Sequence, residues 1–278
     1  MLLFLLLAIG VPYINFTATS TDDNPNKKNV IVIAHRGASG LAPENTIASF
    51  KKAMEFKVDL MELDVHVSKD DSLIVMHDHS VNRTTNGEGD IENLTYSYIK
   101  TLDAGSKFKP EFKGEAVPTL DEVLKLSGEK TKVLIELKWP EKGLYTELVT
   151  KVIECIRKNK AEGWVVIQSF EVAYLEEMHK LAPDLECQQL IIAPKGIMPL
   201  HVTRELKGGK FTPLPYVTSV NPHHLFVTKA WVKKMHAENK TVYPFTLNTE
   251  DKMRKAINLG VDGIITNFPD VANKVLGR

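Results

Sequence analysis

The sequence predicts a closed parallel (β/α)8 barrel, on three observations. Branched apolar runs alternate with amphipathic stretches from Val30 onward, and the runs that qualify as barrel strands number eight. Several of these runs end in charged or amide side chains, which is where such a barrel carries its chemistry. The 278 residues suffice for one large core, and no repeat, low-complexity tract or composition break marks a second domain.

The first strand begins at Val30, where five apolar residues run straight into His35-Arg36-Gly37, as expected of a strand buried on both faces. The following loop holds Gly37, Gly40 and Pro43, and Asn45 or Thr46 is placed to cap a helix. Ile47, Phe50, Ala53 and Met54 give that helix one apolar stripe. Leu60 to Val67 alternates, so Glu62 and Asp64 share a face two residues apart. A polar turn and a short strand from Leu73 to Met76 then deliver His77-Asp78. From His79 to Val117 the periodicity breaks down, apart from a short helix over Tyr96 to Lys100. Such a stretch is long for a connection. Residues 79–117 are therefore expected to form a small insertion after the second barrel strand that caps the active site.

Thr119 is placed to cap a helix to Leu126 that Gly128 ends, and Val133 to Lys138 is the next strand, bearing Glu136 and Lys138. A helix over Leu144 to Arg157, a strand over Trp164 to Gln168 and a helix over Val172 to Leu181 follow. Cys187 to Ile192 reads as a weaker strand, and Ile197 to Thr212 is ambiguous between loop and short helix. The remaining expectations are strands over Tyr216 to Asn221, Thr241 to Thr246 and Val261 to Thr266, with helices over Lys229 to Glu238 and Glu250 to Asn258.

Composition removes several function classes. Lys plus Arg balances Asp plus Glu at 35 each with the signs mixed, so no basic stripe suits a nucleic acid. Cys155 and Cys187 form no CxxC pair and read as small core residues, with a disulfide between them as the alternative. Met1 to Val11 is almost wholly apolar but shorter than the roughly 20 residues of a membrane span. Residues 1–20 therefore read as a secretory signal with cleavage around Ala18 to Ser20, and 21–29 as a polar linker before the barrel of 30–278. No Lys or Arg precedes the apolar run, so an uncleaved anchor is the other reading. Either way the expectation is export, to the periplasm or the cell exterior, with membrane contact only through this segment if it is uncleaved.

The polar residues at the strand ends are His35, Arg36, Glu62, Asp64, His77, Glu136, Lys138, Gln168 and Asn221. Carboxylates on buried strands are expensive unless paired or bound to metal. Glu62, Asp64 and Glu136 come from strands that a barrel makes neighbours, and three hard oxygen donors suit one divalent metal, Ca²⁺ or Mg²⁺. Zinc fits less well, since no histidine stands at the spacing of a zinc motif. His35 and His77 end different strands and can serve as general acid and general base for phosphoryl chemistry.

With these residues in view, the chain resembles the glycerophosphodiester phosphodiesterase family. The shared runs are His35-Arg36-Gly37 with Pro43-Glu44-Asn45-Thr46, Glu62-x-Asp64, His77-Asp78 and Arg83-Thr84-Thr85-Asn86-Gly87. They continue with Pro118 to Glu122, Glu136-Leu137-Lys138, Ser169-Phe170 and Gly260 to Thr266, and together cover roughly residues 30 to 272. The resemblance implies that Glu62, Asp64 and Glu136 bind the metal, that His35 and His77 are the acid-base pair, and that Arg36 and Lys138 hold the phosphate. Glu44 is a further candidate, for the metal or for supporting Arg36. Where the family often has Trp-Thr-Val-Asn this chain has Phe245-Thr246-Leu247-Asn248, which leaves Phe245 as a smaller apolar wall for the substrate. Its closing Thr-Asp-x-Pro is Thr266-Asn267-Phe268-Pro269 here, and neither departure is expected to touch the metal set or the histidines.

The resemblance implies metal-dependent hydrolysis of a small glycerophosphodiester, such as glycerophosphocholine or glycerophosphoethanolamine, to glycerol 3-phosphate and an alcohol. The alternative is a phospholipase D- or C-like enzyme acting on lysophospholipid or phosphoinositide. That would need an apolar groove by the rim, for which Leu214, Tyr216, Leu225, Phe226 and Trp231 are candidates. A catalytically silent binding barrel would lack one of the rim groups, and none is missing. The oligomeric state is not legible in these residues.

Overall fold

The structure, a computed structural model, describes residues 29–192 and 211–278. The expected signal or anchor and most of the ambiguous stretch from Ile197 to Thr212 lie outside the described residues. The strands are β1 (Ile31–Ala34), β2 (Leu60–Val67), β3 (Leu73–Val75), β4 (Lys132–Leu137), β5 (Val165–Ser169), β6 (Glu186–Ile191), β7 (Ser219–Pro222), β8 (Thr241–Val242) and β9 (Gly263–Thr266). β3 pairs antiparallel with β2, while the other eight run parallel in ring order with β9 back beside β1. Backbone hydrogen bonds from Asp262 to Val242, Ile265 to Pro244 and Leu247 to Ile265 link β8 and its continuation to β9. The result is a (β/α)8 barrel with a small insertion after its second strand.

The helices are α1 (Ile47–Glu55), α2 (Tyr96–Ile99), α3 (Leu120–Ser127), α4 (Leu148–Lys158), α5 (Val172–Leu181), α6 (Lys229–Ala237), α7 (Glu250–Leu259) and α8 (Pro269–Leu276). Thr46 and Thr119 cap α1 and α3 in reciprocal boxes with Ser49 and Glu122. The strand period of two sorts the core into layers. Val32 and Ala34 on β1, Met61, Leu63 and Val65 on β2, and Val133, Ile135 and Leu137 on β4 belong to the large cluster shared with the helices. Ile33, Leu60, Leu134, Val166 and Ile265 form a separate, smaller cluster that fills the barrel interior. Residues 79–117 have their own centre, in which Val81, Ile91, Ile99, Leu102 and Val117 pack on Ile74 and Met76.

Three elements depart most from their periodicity, each because a tertiary contact or a proline takes the residues. The helix expected from Leu144 starts at Leu148, since the Tyr145 N–H donates to the Tyr174 hydroxyl instead (2.7 Å). The strand expected from Tyr216 starts at Ser219: Tyr216 stacks on His179 at 4.1 Å, and Lys240 Nζ donates to the Pro215 and Val217 carbonyls. The strand over Thr241 to Thr246 is regular only to Val242 because Pro244 has no N–H for the ladder. Its path continues, with Phe245 bridging to His223. Cys155 and Cys187 are both free thiols. No helix among the described residues is long and apolar enough to cross a membrane.

Candidate active site

The period of two that fills the barrel with Leu60 and Leu134 carries Glu62, Asp64 and Glu136 onto the same inward face, above that apolar floor. Asp64 stands opposite Glu136 in the β2–β4 register. All three carboxylates are buried, and one oxygen from each lies within 4.8 Å of the others. Burial, then the negative charges of Asp64 and Glu136, pushes the Glu62 pKa well above the ordinary carboxylate value. Asp64 is lowered instead: burial opposes its charge, but Lys138, Arg36, His77 and Asn45 outweigh that opposition.

The donor set fits a hard divalent cation. Asp64 Oδ1 is buried and accepts no hydrogen bond, with Lys138 Nζ standing 3.6 Å away. Three mutually repelling, dry carboxylates of this kind are what a cation would neutralise. Among the described residues this is the one group of three or more His, Cys, Asp or Glu side chains placed to hold a metal ion.

β1 ends in backbone suited to function rather than to a strand. Arg36 takes a left-handed φ of 56° and Gly37 one of 74°. The Arg36 N–H donates to Glu62 Oε2 (2.8 Å), its Nη1 donates to Glu44 Oε1 (2.9 Å), and its Nε lies 3.4 Å from Asp64 Oδ2. Gly37 is required there, since a Cβ would come within 2.5 Å of Ser49 Oγ. Gly37→Ala is therefore expected to lose about 1–3 kcal/mol of stability, read as a lower denaturant midpoint with an unchanged slope.

His35 is buried, and its Nδ1 lies 2.7 Å from Asn267 Oδ1, so Nδ1 carries the hydrogen and Nε2 is left for proton transfer. Burial first, and then the Arg36 charge, lowers its pKa to about 3, which keeps the ring neutral near pH 7. His77 follows β3, where the Met76 N–H donates to the Asp64 carbonyl. Its Nδ1 lies 2.7 Å from Asp78 Oδ1, an acceptor-only carboxylate, so here too Nε2 is the available nitrogen. Lys138 donates to Glu136 Oε1 (2.8 Å); burial works against its charge, but Glu136 and Asp64 outweigh this and raise its pKa.

A cavity of about 160 Å³ gathers these groups, with His35, Arg36, Glu62, His77, Glu136 and Lys138 on one side and Phe170, His223 and Phe245 on the other. Phe245 meets Phe170 and His223 edge to face, at 5.9 and 5.7 Å between ring centres. A larger cavity, about 360 Å³, lies at the opposite end of the barrel beside Val30 and Asp262, away from every group named above.

Two expectations need correcting or narrowing. Asn267 does touch a histidine, since its side chain orients His35, contrary to the expectation that this departure stays clear of the site. Glu44 stands outside the carboxylate cluster and pairs with Arg36 at 2.9 Å. Of the candidate groove residues, Leu214, Tyr216 and Trp231 pack against the main core, and Leu225 is broadly exposed.

The sequence did not show the partners of several supporting residues, among them Gln168 and Asn221 at the strand ends, and left out His66 and His223. Asn45 does not cap α1 but donates to Asp64 Oδ2 (2.8 Å). His66 Nε2 donates to the His77 carbonyl (3.2 Å), while its Nδ1 accepts from the Tyr145 hydroxyl (3.0 Å). Gln168 reaches Glu62 and is itself held by Asn221. His66 was legible, since it continues the inward face of Glu62 and Asp64. His223 lies on the loop after β7, and no pattern marked it.

Comparison with known proteins agrees with this geometry. The family model of the glycerophosphoryl diester phosphodiesterase family matches residues 35–271. A glycerophosphodiester phosphodiesterase of Caldanaerobacter subterraneus is 39% identical over 86% of this chain and 95% of its own. One from Bacillus subtilis is 35% identical over 97% of this chain and 95% of its own. Among solved structures, an Oleispira antarctica phosphodiesterase in complex with the product sn-glycerol-3-phosphate superposes with a TM-score of 0.77 at 28% identity, covering 89% of this chain and 97% of that one. With nearly its whole length matched and its buried carboxylates, histidines and basic groups gathered at one rim, the chain belongs to the glycerophosphoryl diester phosphodiesterase family.

Proposed function

We propose that the chain hydrolyses small glycerophosphodiesters, such as glycerophosphocholine or glycerophosphoethanolamine, to glycerol 3-phosphate and an alcohol in a metal-dependent reaction. The observation that carries this reading is the buried Glu62, Asp64 and Glu136 cluster lying beside two histidines whose Nδ1 atoms are both engaged. A divalent cation held by these carboxylates would act as a Lewis acid on the phosphate's non-bridging oxygens. Ca²⁺ and Mg²⁺ both suit three hard oxygen donors.

Arg36 and Lys138, which line the cavity, hold the phosphate and counter the charge that builds on it in the transition state. His35, kept neutral by its surroundings, takes the proton from the attacking oxygen, either water directly or the glycerol 2-hydroxyl, whose cyclic phosphate a water then opens to glycerol 3-phosphate. As the new P–O bond forms and the bond to the alcohol breaks, His77 delivers a proton to the departing oxygen. Phe245 forms an apolar wall with Phe170, and the capping role of residues 79–117 is supported by Arg83, which pairs with Asp78 and Glu44 beside the rim. The apolar segment at residues 1–20 supports export as its setting, where Ca²⁺ is abundant.

The test is turnover of glycerophosphocholine by purified protein after chelation, with Ca²⁺ or Mg²⁺ added back, beside His35→Ala. Metal-dependent release of glycerol 3-phosphate that disappears in the variant is the expected result. Turnover of lysophosphatidylcholine in its place would favour the lipid-sized substrate instead.

A further inference from the structure

Between His77 and Arg36 runs a chain of ion pairs that the reaction described above does not use. Arg83, from the insertion, donates through Nε to Asp78 Oδ2 (2.7 Å) and through Nη2 to Asp78 Oδ1 (3.1 Å). The same guanidinium donates through Nη1 to Glu44 Oε2 (2.8 Å) and through Nη2 to Glu44 Oε1 (2.7 Å). Asp78 Oδ1 in turn accepts from His77 Nδ1, and Glu44 Oε1 accepts from Arg36 Nη1. Arg83 does not line the rim cavity.

We infer that Arg83 is a positioning residue that acts through two carboxylates, orienting His77 by way of Asp78 and Arg36 by way of Glu44, and so locks the insertion to the catalytic rim. This rests on the proposed roles of His77 and Arg36.

The geometry selects arginine. One planar fork serves two carboxylates at once, which an ammonium, a single point of charge, cannot reproduce. The His77 ring is the last of five groups in a continuous path, Arg36, Glu44, Arg83, Asp78 and His77, with every link between 2.7 and 2.9 Å at its shortest. The hydrogen bond from His77, and further help from Arg83, hold Asp78 well below the usual carboxylate range, so it stays an acceptor that keeps the hydrogen on His77 Nδ1. Arg83 is about half exposed, at 48% of its side-chain surface, and ion pairs that wet contribute little to folding stability. Its effect is therefore on placement of the histidine and guanidinium, where misplacement is costly.

The experiment compares wild type, Arg83→Ala, Arg83→Lys, Asp78→Asn and the Arg83→Ala/Asp78→Asn pair, all as the full chain with metal and glycerophosphocholine. Arg83→Ala is expected to lower kcat on the order of 100-fold, with Tm nearly unchanged and any rise in KM, through Arg36, smaller than the loss in kcat. Added guanidinium ion should restore part of that loss, and Arg83→Lys should recover little of it. In the Asp78→Asn background, removing Arg83 should cost far less than in wild type, because both changes break the same path. Retention of kcat within about twofold of wild type would overturn the inference. So would a loss that guanidinium does not relieve and that multiplies fully with Asp78→Asn, which describes a loop anchor. A loss carried by KM alone, with kcat kept, would leave His77 out of the path and overturn it as well. If wild type itself is inactive on glycerophosphocholine, the functional reading fails rather than the inference about Arg83.

Discussion

Glu62→Gln is expected to remove metal binding and about three orders of magnitude of turnover, since Lewis-acid stabilisation is worth several kcal/mol. Metal-free protein should not lose stability in return. Glu62 shares a buried site with Asp64 and Glu136, and both burial and those charges work against its ionised form. An amide of the same shape relieves that repulsion and its oxygen can still accept from the Arg36 N–H, at the loss of the 3.3 Å hydrogen bond from the Gln168 NH2. Thermal unfolding with and without Ca²⁺ or Mg²⁺ checks both halves. Wild type should gain Tm on adding metal, and the variant should show a metal-free Tm at or above that of wild type with no further gain. An undiminished metal response in Glu62→Gln would remove that residue from the ligand set.

His35→Ala and His77→Ala should each lower kcat by about 10²- to 10⁴-fold, the usual worth of a positioned acid or base. Neither ring belongs to the carboxylate cluster, so the metal-induced rise in Tm should persist in both variants. That separates loss of proton transfer from loss of the metal. The double variant should fall well short of the product of the two single losses, because the groups act on one transition state. Strict multiplication, or loss of the metal response along with activity, would argue that one of the two is structural.

Much of this site was readable before any coordinates. Carboxylates at alternate positions of an otherwise apolar strand have few explanations, and Glu62, Asp64 and Glu136 are where that pattern put them. His35 and His77 stood out because each directly follows a short apolar run. What escaped was partnership. Asn45 and Thr46 were both placed to cap a helix; Thr46 does so, and the Asn45 amide serves Asp64 instead. Asn267 looked like a neutral departure from a family motif, yet it orients His35 across 232 residues of sequence. Arg83 sat in a turn-rich run with no periodicity to say which way it faced.

The sequence by itself determined the barrel, its eight parallel strands, the apolar floor and the charged rim, because periods of two and 3.6 are local properties of the chain. It also determined which side chains carry charge into the interior. Only the tertiary structure decided which of those charges meet, because each contact depends on how the ring closes and on where the insertion folds back. The hydrogen on His35 Nδ1, the arrangement of Glu44 with Arg36 rather than with the metal set, and the path from Arg83 to both histidine and arginine are consequences of that closure.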